Sequence, residues 1–477
     1  MVLRLLFYAC LTALLLAESG CRPKHDTTSP HSARSAAEKE IASAERYQWN
    51  LQTLVGDYGR TGKKDPKWDA EAREALTLFA KIRNRSRDTS FAEQGDQISN
   101  HVARAISAGC DDPLILYLEA RFVHPMDPEE GDDLRKPIRP FVEAAEGILE
   151  GDYSPIRKFY ASVRAAEWYV RNAKKEQVRA EAPKFRQLSV AHLMTVVTDE
   201  NTPGVEAAEA VHQFAVSPRV SPKWKHEAMT RIEPVLLKNW PDEPEVFLTL
   251  GNYYRNYAWV ARGSGWASTV TEEGWRLFAE RLKQAETFLT RAWQLDGMDP
   301  RIPMALMSLE LGQGKGGKQM ETWFQRAMVA DTNCYDACHT KLNYLEPKWY
   351  GSEKEMLAFG HECADSEAWG GSVPLILAEA HSRIATYHQK AGGKDYFHSS
   401  KVWKDIKMCF EKFFTRYPDA IAWRHNYARY AYRCQQWEAL RTQIGLMGPI
   451  NYKFFGGRDA YDEMLEQLDQ HLPAKAK

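Results

Sequence analysis

Net charge is nearly absent from this chain: 63 Lys and Arg stand against 64 Asp and Glu, leaving a formal charge of -1. No global field therefore draws it to nucleic acid or to an anionic membrane surface, and nucleic acid is not expected as a partner. Runs that alternate strictly between apolar and polar residues are missing, so almost no sheet is expected. The motifs His-Glu-x-x-His, Gly-x-Ser-x-Gly and Cys-x-x-Cys do not occur, which removes the local signatures of zinc proteases, serine hydrolases and thioredoxin-type redox proteins. Cysteine is sparse, with eight in 477 residues. These absences do not mean disorder: 44% of the residues are hydrophobic and 27% charged, enough apolar material for a core.

What the chain does contain is a recurring helical face. Five segments carry apolar or small residues at i, i+4 and i+7, the spacing that places three side chains on one side of a helix. The sets are Ala285, Leu289, Ala292; Met320, Phe324, Ala327; Met356, Gly360, Cys363; Ile406, Phe410, Phe413; and Leu440, Ile444, Met447. Their first members lie 35, 36, 50 and 34 residues apart, near the roughly 34-residue period of stacked helix-turn-helix repeats. Upstream, helices are expected over 68–83, 91–107, 114–123, 156–171, 185–198, 205–214 and 224–238, with a polar loop over 124–140. Caps and prolines mark several of the starts, as at Asp112-Pro113.

The N-terminus reads as an export signal over residues 1–20: Arg4, then thirteen mostly apolar residues from Leu5 to Ala17, then small residues before Cys21. Thirteen residues fall short of the roughly 20 that span a bilayer. Ordinary cleavage after Ser19 and lipidation of Cys21 are the two processing routes. Ser19-Gly20-Cys21 resembles the end of a bacterial lipobox, with Glu18 where an aliphatic residue is usual. Lipidation at Cys21 is the reading adopted, with residues 21–43 as a flexible tether. Six cysteines then remain beyond Cys21, an even number that fits either disulfides or buried thiols.

From Pro244 onward the repeat is more specific. Leu250, Gly251 and Tyr254 resemble the Leu-Gly-x-x-Tyr core of the first helix of a tetratricopeptide repeat, and Ala285, Leu289 and Ala292 resemble its second helix. About twenty additional residues around Gly263-Ser264-Gly265-Trp266 separate them and are expected to form a loop. Pro418, Tyr427, Ala428 and Ala431 before Leu440 resemble the same pattern in the last repeat. The stretches Glu346-Pro347-Lys348-Trp349-Tyr350-Gly351-Ser352 and Ala108-Gly109-Cys110-Asp111-Asp112-Pro113 resemble those of an uncharacterised bacterial family of exported proteins with tetratricopeptide-like segments. The resemblance implies an α-solenoid and a binding surface, and it names no reaction.

Two lookalikes compete with this architecture. Gly312 to Lys318 satisfies G-x-x-x-x-G-K, but Gln319 replaces the magnesium-binding Ser or Thr and a helix precedes the glycines instead of a strand, so ATP is not expected. Cys334, Cys338 and His339 form C-x-x-x-C-H, one residue longer than a haem attachment site; haem or a metal with His361 and Cys363 is the second reading, against packing or a Cys338–Cys363 disulfide. A third reading places an enzyme site near the 257–277 insertion.

The expected fold is an all-α, irregular solenoid of antiparallel helix hairpins: an N-terminal helical region over 44–239, repeats over 240–450, and a capping helix with tail over 451–477. The expected function is a non-catalytic scaffold of a bacterial cell envelope, without cofactor, that binds a protein or peptide. In the tetratricopeptide register its groove residues are Asn252, Arg255, His425, Arg429 and Tyr432.

Overall fold

A computed structural model describes residues 36–83, 90–123, 139–218, 220–390 and 396–472. Residues 1–20, expected as an export signal, Cys21 and most of the expected 124–140 loop lie outside the described residues. Among the described residues every regular element is helical. The first helix, α1 (Ala36–Leu51), already includes the last part of the stretch expected as tether. A π-turn over Gln52–Gly56 joins it to α2 (Asp57–Thr61).

Next come α3 (Asp69–Arg83), α4 (Ser90–Ser107), α5 (Pro113–Leu118), extended by a π-turn over Glu119–Val123, α6 (Arg139–Glu150), α7 (Pro155–Asn172), α8 (Lys175–Thr198), α9 (Gly204–Val216) and α10 (Pro222–Asn239). Local chemistry sets these starts. Pro113 sits in the first turn of α5, and the Asp112 carboxylate accepts from the backbone N–H groups of Leu114 (2.9 Å) and Ile115 (3.4 Å), satisfying donors that a helix start leaves orphaned. The same carboxylate accepts from Lys63 N–H and Tyr153 O–H, so one cap ties three segments together.

Five hairpins follow: α11 (Pro244–Arg262) with α12 (Glu272–Leu295), α13 (Arg301–Gln313) with α14 (Gly317–Ala330), α15 (Tyr335–Tyr344) with α16 (Glu353–Asp365), α17 (Ile376–Lys390) with α18 (Ser400–Arg416), and α19 (Ile421–Arg433) with α20 (Trp437–Leu446). Each of the five apolar sets lies on the second helix of one hairpin, with Met447 one residue past the end of α20. Leu289, Phe324, Cys363, Ile406 and Leu440 are wholly buried there. Burial of a Leu, Ile or Phe side chain is worth about 1.5 to 3 kcal/mol, so these faces hold each hairpin to its partner. A 3₁₀ turn (Tyr452–Phe455) and α21 (Arg458–His471) close the end.

Alternate helices stack on one another: α7 on α9, α9 on α11, and so through α13, α15 and α17. The apolar core accordingly runs along the chain. One cluster reaches from Leu54 to Ile384, a second surrounds Phe410, and a third surrounds Leu440 and Met464. A core assembled from neighbour to neighbour is what distinguishes a solenoid-like array from a globule with a single centre.

The expected insertion loop is corrected. Only residues 263–271 leave the helices; α11 and α12 are simply long, at 19 and 24 residues. The added turns bury their own apolar face, where Trp259 meets Phe278 edge to face at 5.0 Å and Trp349 at 6.0 Å. Gly263, with φ of 74°, ends α11, and the Thr271 hydroxyl caps α12 through Gly274 N–H (3.0 Å).

Candidate functional site

The stacked first helices carry a polar network at α15 and α17, centred on the buried carboxylate of Glu346. Arg383 Nη1 donates to Glu346 Oε1 (2.6 Å), its Nε donates to Glu379 (2.9 Å), and its Nη2 donates to His339 Nε2. Tyr387 O–H and the Lys348 ammonium both reach Glu346 Oε2, at 2.7 and 2.8 Å. Burial pushes Glu346 up, but these donors outweigh it and hold the carboxyl below its ordinary value. His339 moves the other way: burial and the neighbouring Arg383 charge lower it, so the neutral ring accepts from the guanidinium.

The Glu346-to-Ser352 stretch thus has a structural role. Besides Glu346, Tyr350 stacks on Tyr344 (4.7 Å) and donates to Leu311 C=O (3.2 Å), while Ser352 caps α16 by accepting from Glu355 N–H (3.3 Å). A β-carbon on Gly351 would fall 2.3 Å from Leu345 O, a space that admits only glycine.

The five groove residues do not converge. Asn252 and Arg255 lie on α11, whereas His425, Arg429 and Tyr432 lie on α19, beyond the intervening α13, α15 and α17. Arg255 bonds Asn256 Oδ1 at 3.5 Å, and burial pushes its guanidinium down to about 10. His425 is buried and spends both ring nitrogens: Nδ1–H donates to Ile421 C=O (3.3 Å), and Nε2 accepts from Asn451 N–H (3.2 Å). Its ring also lies against Phe454, so it fastens the C-terminal turn and is not offered to a ligand. Tyr432 packs edge to face on Trp437. Arg429 is half-buried, its guanidinium 5.7 Å from the Tyr430 ring.

The haem-like motif is also divided. Cys334 and Cys338 point into the core, where their sulfurs meet Met304 (3.4 Å) and Met328 (3.7 Å), while His339 faces Arg383. The two thiols and the imidazole thus face different surroundings. His361 and Cys363 diverge as well: Cys363 is wholly buried, and His361 reaches Asp405 Oδ2 at 3.3 Å. No group of three or more His, Cys, Asp or Glu suited to a metal ion occurs among the described residues. The glycine-rich P-loop lookalike is the turn between α13 and α14. Gly314 (φ 63°) ends α13, and Lys315 pairs with Glu286.

Two features escape local sequence reading. Tyr396 O–H donates to His381 Nδ1 (2.8 Å), and His381 Nε2–H donates to Asp405 Oδ2 (3.2 Å), the oxygen that also takes His361. Burial keeps His381 below its ordinary value despite that carboxylate, so its ring is neutral. These residues come from three helices and a 3₁₀ turn; the only local hint is a histidine amid the apolar face of Leu377 and Ile384.

The second is an open cleft of about 590 Å³ at the last two hairpins, where α18 and α20 part. Trp403, Phe414 and Tyr427 supply its apolar surface, with Lys407, Arg424 and Glu438 around it. The Arg424 guanidinium stands 4.0 Å from the Phe414 ring centre and donates to Gln443 (3.1 Å), which fixes the floor. Against known proteins, the chain matches no family model and no curated relative.

Proposed function

We propose that this chain is a non-catalytic interaction scaffold of a bacterial cell envelope, exported and tethered by lipid at Cys21, with tetratricopeptide-like repeats that hold a protein or peptide partner. The observation that carries this reading is the cleft between α18 and α20, which joins half-exposed aromatic rings to charges of both signs. Such a surface suits an extended peptide, whose apolar side chains meet Trp403 and Phe414 and whose charges meet Lys407 and Glu438. The separate surroundings of Cys334, Cys338 and His339 support binding over haem chemistry. No helix among the described residues is long and apolar enough to cross a membrane, and the proposed lipid supplies the anchor instead.

The test is affinity capture from envelope extracts with three chains: wild type, Lys407→Glu with Phe414→Ser, and Arg429→Glu. A partner retained by wild type and lost from the cleft variant supports the reading, and loss from Arg429→Glu extends the surface to α19. A partner held equally by all three overturns the assignment. Cys21→Ala is expected to release the chain from membranes and remove a lipid-sized mass; unchanged fractionation and mass overturn the anchor.

A further inference from the structure

A small cavity of about 10 Å³ lies between α3, α5, α6 and α7. That is room for one water or one small monatomic ion. Its walls are mostly leucine, isoleucine and phenylalanine, but at one end stand Arg83, Arg157, Tyr117 and Tyr160. Arg83 Nη2 is committed to Tyr160 O and to Glu206 Oε2, and Arg157 Nη2 to the neutral oxygens of Asn50 and Thr53 (2.9 Å each). The Nε–H of each guanidinium, however, is buried without a protein acceptor. Leaving a buried charged donor unmatched costs at least as much as a neutral one, and here two such donors belong to side chains that line one cavity.

The charge balance points the same way. Arg46 and Arg83 both bond the buried carboxylate of Glu206, which does not bond Arg157; Asp57, the other buried carboxylate acting on Arg157, spends its oxygens on Ser154 and Arg60. Burial and the charge of Arg83 both weigh against Arg157. Tyr117 reports the field inside: burial raises a phenol, yet Arg121, Arg164 and Arg83 bring this one below its ordinary value. A water in the cavity would need acceptors for its two O–H groups, and the polar side chains in these walls are two guanidinium groups and two phenols, the Tyr160 oxygen already accepting from Arg83. An anion needs only donors and relieves the repulsion between the guanidinium groups.

We propose that the cavity is a site for one monatomic anion, chloride in practice, held by the Nε–H groups of Arg83 and Arg157. The ion is structural: it locks α3 to α7 beneath the repeats and is independent of the scaffold reading. The test compares melting of the wild-type protein in sodium chloride and sodium gluconate at equal ionic strength, with crystals grown in sodium bromide. Expected are a saturable rise of about 2 °C in chloride and a bromine anomalous peak between Arg83 and Arg157. Arg157→Gln is expected to abolish both; should that variant fail to fold, the wild-type bromide peak decides. Equal melting in the two salts, or a water there with no anomalous signal, overturns the proposal.

Discussion

Gly251 on α11 lies directly against Leu289 on α12: a β-carbon at position 251 would fall 2.5 Å from Leu289 Cγ and 3.3 Å from its backbone nitrogen. Gly251→Ala therefore sets two effects in opposition. Alanine gains up to about 1 kcal/mol of helix propensity over glycine, but overpacking a closed interface costs about 1 to 3 kcal/mol. The clash should win, giving a net loss of about 1 to 2 kcal/mol by denaturant unfolding. Gly445 on α20 is the control, since a β-carbon there would meet nothing within 4 Å. Gly445→Ala should stabilise by up to about 1 kcal/mol; the same sign at both sites would refute the packing argument.

That contact also shows how much is legible in the sequence. Leu250, Gly251 and Tyr254 announce α11, and the apolar triplets announce the second helices, because helical periodicity is local and survives in one dimension. Most upstream helix ends agree to within a few residues, as at Pro113 and Pro155, but the helix expected over 185–198 begins ten residues earlier at Lys175 and runs through Pro183. Juxtapositions across the chain have no such signal. Glu206 meets Arg46 and Asn50, 160 and 156 residues away, and nothing near any of them foretells the others. His425 shows the same limit: repeat register puts it on a first helix but is blind to the C-terminal turn that covers it.

Glu310 gives a pH dependence. It is buried at the end of α13, accepts from Gly316 N–H (2.9 Å), and burial pushes it up to about 7 from 4.5. A carboxyl raised on folding binds its proton more tightly in the folded state. Its contribution is complete below about pH 4.5 and is lost as pH rises through 7. Glu310→Gln keeps an acceptor for Gly316 without the charge, so it should match wild type near pH 4.5 and exceed it by on the order of 2 kcal/mol at pH 8. Melting curves across that range decide; a constant difference with pH would rule the titration out.

Glu206 titrates in the opposite sense. Burial opposes its ionisation, but Arg83, Arg46 and Asn50 hold it down at about 2. Its stabilisation is present above the unfolded value of 4.5 and is lost as pH falls toward 2. Glu206→Ala leaves buried guanidinium groups without their carboxylate, and should cost about 3 to 5 kcal/mol at neutral pH. Because Arg46 and Asn50 belong to α1, hydrogen exchange should show α1 loosening first in this variant. Unchanged protection there would mean that apolar contacts alone hold the helix.

The six cysteines of the described residues are free and buried. Burial raises the Cys110 and Cys334 thiols to about 11 and those of Cys409 and Cys434 to about 12. Cys363 is raised further by burial and by its hydrogen bond with Cys338. Since the thiolate is the reactive form, the folded protein should resist alkylation at pH 8 for hours. Unfolding in denaturant without reductant should then expose all six to alkylation, read by mass. Four modified residues, with Cys338 and Cys363 spared, would instead establish a disulfide between α15 and α16, and Cys363→Ser would then raise the reactivity of Cys338 from none in the unfolded wild type to full in the unfolded variant.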